Sequence, residues 1–140
     1  MSRFSSLEFG GEGEQSQTGQ QGLRDEAHFL AEAQRAFERA EFEQGLRLYA
    51  RALEDNPRST AAWVGQVRML IELEEYREAK AWAEKALEQF PTCPELLAAK
   101  AVALGRLGEL DPALAFSDSA IEERGSTAYV WLARADVLLP

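Results

Sequence analysis

Two residues of this 140-residue chain could carry proton-transfer or covalent chemistry by type alone: the single histidine, His28, and the single cysteine, Cys93. An imidazole needs an orienting acceptor and a thiol needs a base before either acts as a catalyst. The sequence supplies neither. Cys93 falls in a turn with no candidate base nearby, and His28 falls in the first turn of an amphipathic segment. No glycine-rich phosphate loop follows a strand, and no His, Cys or carboxylate cluster has metal-ligand spacing. The expectation is a chain without catalytic, cofactor-binding or metal residues, and not an enzyme.

The 24 acidic residues outnumber the 15 basic ones, giving a formal net charge of -9. Such a balance repels phosphate backbones and anionic lipid surfaces, so nucleic acid and membrane are not expected partners. No apolar run approaches the roughly 18 residues that a membrane-crossing helix needs. A lone cysteine cannot form an internal disulfide, which fits a reducing compartment, and the cytoplasm is the expected location. An apolar fraction of 46% is enough for a buried interior.

The elements that position these side chains repeat every 34 residues from about Asp25. Phe29, Trp63, Leu97 and Trp131 share one phase; Ala33, Val67, Ala101 and Ala135 share a second; Ala52, Ala86 and Ala120 share a third. A fixed period of this length predicts stacked supersecondary units in place of one closed core. Within each unit apolar residues recur at spacings of three and four on either side of a break, which predicts two amphipathic helices per repeat. The breaks fall at Arg39 to Phe42, at Glu74 and Glu75, and at Gly108. Asp25, Ser59, Cys93 and Thr127 stand where the first helices should begin, and three of these four side chains are good caps. Asp111 and Pro112 predict the start of the second helix in the third unit. Gly45 lies within a helix, where alanine would be better by about 1 kcal/mol, so close contact with a neighbouring helix is expected there.

Residues 10 to 22, rich in Gly, Gln, Glu, Ser and Thr, read as a flexible linker. Residues 1 to 24 are therefore expected to be a disordered arm. Its first segment, MSRFSSLEF, is either an untethered terminus or a short docking motif built on Phe4, Leu7 and Phe9.

The phases holding Trp63, Ala79, Ala86 and Pro91 resemble the tetratricopeptide repeat (TPR) family. The resemblance covers residues 25 to 140, as repeats at about 26–59, 60–93 and 94–127 with a partial unit at 128–140. It implies an all-α fold: a right-handed α-solenoid of three helix-turn-helix repeats plus a final helix. It also implies that the first helices line a concave groove of Leu30, Gln34, Phe37, Val64, Arg68, Ile71, Ala98, Val102 and Arg106, with Glu38, Glu72 and Leu132 alongside. Phe37, Ile71 and Val102 are larger than a solvated helix face requires, so the expected ligand is a peptide or helix with apolar side chains. Heat-shock co-chaperones of this family grip a carboxylate terminus with Lys, Asn and Arg. The corresponding positions here are Leu30, Gln34, Gly65, Glu95 and Ala99, so that clamp is absent.

The fourth unit stops after one helix whose Val130, Val137, Leu138 and Leu139 are apolar. The expectation is that the chain continues, or that this end packs against another copy or a partner. Three roles follow from the sequence: a protein-interaction scaffold, a small acidic secretion-type chaperone holding a client peptide, or a self-assembly module using the last helix or the N-terminal arm.

Overall fold

The computed structural model of the chain describes residues 16–123 and 128–139. Those residues form seven helices: α1 (Ser16–Glu38), α2 (Phe42–Asp55), α3 (Thr60–Glu72), α4 (Tyr76–Gln89), α5 (Pro94–Arg106), α6 (Leu110–Glu122) and α7 (Ala128–Leu138). The candidate docking residues Phe4, Leu7 and Phe9, and the expected cap Thr127, lie outside the described residues.

Each pair turns at the same phase of the repeat. Ala40, Glu74 and Gly108, spaced by the repeat length, all have positive φ, at 61, 60 and 84°. At each site the next amide reaches back five residues: Glu41 N to Ala36 O, Glu75 N to Leu70 O and Glu109 N to Leu104 O, at 2.8, 2.9 and 2.9 Å. This is the left-handed closure that satisfies the free carbonyls at a helix end. Because the closure is repeated, every second helix leaves its turn at the same angle.

Between repeats, Ser59 caps α3 as expected, its Oγ accepting from Ala62 N at 3.2 Å. Cys93 makes no such side-chain bond at the start of α5, and Pro94 occupies the first turn, where an amide would lack a helical partner. Two expected starts are corrected. Helix α6 begins at Leu110, so Asp111 and Pro112 lie inside its first turn. Helix α1 begins at Ser16, within the stretch read as a linker, so the backbone is already helical at Asp25, which is no cap. Elongating an existing helix adds one hydrogen bond per residue ordered, and the glutamines there tolerate that geometry better than their low apolarity suggests.

Helices α1, α3, α5 and α7 touch one another in order, whereas α2, α4 and α6 make no direct contacts among themselves. The touching layer is the inside of a curve, so the first helices form the concave wall. Small residues set the spacing: Ala33, Ala52, Ala79, Ala83, Ala86, Ala101, Ala113 and Ala120 are fully buried. Trp63 and Trp82 fill the layer between α3 and α4 with ring centroids 5.3 Å apart. Gly65 has no alternative, since a Cβ there would lie under 3.0 Å from the Tyr49 ring. Gly45 is also close-packed, its added Cβ falling 3.1 Å from the end of Met69. Among the described residues no helix is long and apolar enough to cross a membrane.

Candidate functional site

Helical spacing brings Leu30, Gln34 and Phe37 of α1 to one face, and Val64, Arg68 and Ile71 of α3 to the next. The concave wall they form is divided into two recesses. The first, of about 370 Å³, is lined by Leu30, Gln34, Phe37, Val64 and Arg68, with Tyr49 and Glu95 at its edges. The second, of about 350 Å³, is lined by Arg68, Ile71, Glu72, Val102 and Arg106 together with Tyr129, Leu132 and Asp136 of the α7 region.

Arg68 belongs to both recesses and marks the divide. Its guanidinium carbon lies 5.2 Å from the Phe37 ring centroid and 4.1 Å from that of Tyr129. Two aromatic faces hold the cation electrostatically without neutralising it. Among the described residues no carboxylate stands within ion-pair distance of it. Arg106 differs: it is paired with Asp136 across α5 and α7. Of the two basic points expected in the groove, Arg68 is the one left open to a ligand.

Ala98 does not face the groove. It is 1% exposed and packs with Val130 and Ala133, because α7 lies along α5 and covers that position. Val102 is also buried in this cluster and reaches the second recess only at its floor. The remaining expected residues, from Leu30 to Ile71 and Arg106, line one recess or the other.

Tyr129 is not among the residues expected from the sequence. A signal for it exists in the period, since it shares its phase with Ala61 and Glu95, both of which line the first recess. Its ring packs against both halves of the core, and burial pushes the phenol up to about 12, with Arg68 opposing the shift. Burial likewise pushes the Cys93 thiol up, and the Glu95 carboxylate, 3.5 Å from its sulfur, adds to that. A thiol so placed is a poorer nucleophile than a free one. Among the described residues no three His, Cys, Asp or Glu side chains converge as metal ligands.

A further concavity, of about 650 Å³, lies at the turn between α1 and α2 and is lined by Glu32, Arg39, Glu41, Glu43 and Arg47 together with Phe42, Leu48 and Leu73. It lies away from the face where the first helices meet, and the concave wall, with the Arg68 cation between two aromatic rings, is the better site.

The fold matches solved TPR domains. The first TPR of Spaghetti (RPAP3), bound to an HSP90 peptide, superposes with a TM-score of 0.72 at 10% identity, over 82% of this chain and 91% of that one. The Arabidopsis OM64 TPR domain gives 0.74 at 13% identity, over 84% and 97%. The Sgt2 TPR domain from Aspergillus fumigatus gives 0.72 at 16% identity, over 81% and 76%. Among curated proteins no sequence matches. The family profile described as tetratricopeptide repeat matches residues 11–140. With the paired helices, the repeated left-handed turns and the touching inner layer, that match means that the chain belongs to the tetratricopeptide repeat family.

Proposed function

We propose that this protein is a non-catalytic scaffold whose concave wall binds a segment of another protein. The observation that carries the reading is Arg68, a cation held between Phe37 and Tyr129, with a mainly apolar recess on one side and a mixed polar and apolar one on the other. A ligand would seat one apolar side chain among Leu30, Phe37 and Val64 and a second against Ile71 and Leu132, with a hydrogen-bond acceptor or carboxylate between them at Arg68.

The bound peptide of the Spaghetti domain, and the HSP70 peptide bound to the second TPR domain of human RPAP3, make a peptide ligand the natural comparison. Two observations separate this groove from a carboxylate clamp. Ala99 is fully buried and Gly65 is packed under Tyr49, so neither position can offer a polar hand. Glu95 sits at the edge of the first recess, where it would repel a chain terminus. The ligand of this groove is an internal, largely apolar segment.

The test is selection of a peptide library on the intact chain, followed by rebinding to a Phe37→Glu, Arg68→Glu double variant. Loss of binding is expected. Peptides that bind both proteins equally would remove the groove from consideration.

A further inference from the structure

Beyond Arg68 the concave wall changes sign. The second recess holds the carboxylates of Glu72, Glu74 and Asp136 against the guanidinium groups of Arg106 and the shared Arg68. Asp136 is taken by Arg106, and Arg68 is held by the rings of Phe37 and Tyr129. Among the described residues neither Glu72 nor Glu74 has an ion-pair partner. Arg77, the next cation along the chain, does not line this recess.

Both unpaired carboxylates act on the recess. Glu72 stands about one turn of α3 beyond Arg68 and shares the recess with Ile71, Tyr129 and Leu132. Burial is the main cause of the raised Tyr129 phenol and Arg68 opposes it, while Glu72 adds to the rise, so its charge reaches the recess wall. Glu74, at the positive-φ turn, adds to the hold on the Arg106 proton behind the larger effect of Asp136. Apolar walls beside like charges concentrate their field on whatever enters. In the first recess the charged lining is Arg68 and Glu95, one of each sign.

A segment lying along the wall therefore meets an apolar recess, then the Arg68 cation, then apolar surface carrying two unmatched negative charges. Arg68 and Glu72 are four residues apart on α3, a rise of about 6 Å, which two residues of an extended ligand span. Resting on the reading of the concave wall as the binding site, we infer that Glu72 and Glu74 are specificity-determining residues of the groove. The partner they select is an extended segment of another protein with a lysine or arginine two residues from the side chain that meets Arg68. Its apolar residues supply affinity, and its base matches a charge that the chain's own cations leave open.

The probe is a library of random peptides displayed as internal segments, selected in parallel on the intact chain and on a Glu72→Lys, Glu74→Lys variant. Both carboxylates are exposed, so the variant should keep the Tm of the parent. Sequences from the intact chain should carry Lys or Arg at one fixed position, and those from the variant Asp or Glu there. The best binder of the intact chain, resynthesised with Glu in place of its base, should lose roughly fivefold in affinity, the value of one partly screened ion pair. It should regain that on the variant, and added salt should shrink the difference. Peptides that need Phe37 and Arg68 but show no preference for a base, or keep that preference on the variant, overturn the inference and leave the groove standing. Peptides that bind the Phe37→Glu, Arg68→Glu protein as well as the intact chain remove both, as does a library that yields no binder. A mass that doubles with concentration in the intact chain but not in Phe37→Glu would put a second copy in the groove and overturn the inference as well.

Discussion

Tyr129 of α7 lies with its ring 4.1 Å from the guanidinium carbon of Arg68 on α3, so the last helix closes over a residue two repeats away. Burial raises the phenol from 10.0 to about 12, which means that the folded state favours the neutral ring. Stability from this group is intact below pH 10 and falls as pH rises toward 12, because the unfolded chain loses the proton first. The loss should reach about 2 kcal/mol, since each tenfold change in proton affinity is worth about 1.4 kcal/mol. Urea denaturation across pH 8 to 12 should show this slope, and Tyr129→Phe should reduce it. Tyr49, whose phenol is also raised by burial, leaves a residual slope in the variant.

Gly65 and Gly45 should respond differently to alanine. At Gly65 the new methyl meets a rigid Tyr49 ring, and a loss of about 3 kcal/mol is expected in chemical denaturation. Tyr49→Leu in the same chain should recover part of it. At Gly45 the methyl meets the flexible end of Met69, so the cost should stay below about 1.5 kcal/mol. Leucine at Gly45 is too large for that accommodation and should disrupt the first repeat, seen as a large fall in Tm.

Ala40 and Glu74 occupy left-handed backbone that Gly108 adopts without a Cβ. Replacing either with glycine should stabilise the protein by about 0.5 to 1 kcal/mol, since the steric penalty of about 1 to 2 kcal/mol exceeds the extra chain entropy lost. Gly108→Ala should cost a similar amount. Thermal melting of the three single variants is sufficient; a lower Tm for both glycine variants would contradict the strain argument.

Successive repeats are also tied by a polar row. Lys100 reaches Glu84 at 3.6 Å, and one period later Arg134 pairs with Asp118. One period earlier the row holds Gln66 and Ala50, and among the described residues the buried Gln66 side-chain oxygen has no hydrogen-bond partner. Gln66→Met should therefore stabilise by about 1 kcal/mol, by removing an unsatisfied buried group while keeping volume. A destabilised variant would mean that the amide is satisfied by water.

The period makes most of the fold legible. Trp63, Ala79 and Ala86 follow it, as do the helix boundaries near Ser59 and Cys93, because packing between identical units forces identical spacing. Local composition is the poorer guide. It marks residues 10 to 22 as a linker although α1 starts at Ser16, since a helix can extend beyond its packed part. Trp82, which is 2% exposed, stands at the phase shared by Leu48 and Phe116, where only the period and not local composition marks a packing residue. Seven of the nine expected groove residues line a recess without belonging to the buried core. Ala98 and Val102 do not, because a helical wheel cannot tell that α7 lies over α5.

Because α7 carries Tyr129, the geometry of the binding wall depends on how firmly the last helix is attached. Its links to the neighbours include the Arg106–Asp136 and Arg134–Asp118 pairs, and exposed ion pairs of this kind weaken with salt. Tyr129, Leu132 and Asp136 of this helix form one wall of the second recess, so that recess exists only while α7 is docked. The second recess thus stands or falls with the docking of α7, which the burial of Val130, Ala133 and Val137 secures alongside the two ion pairs.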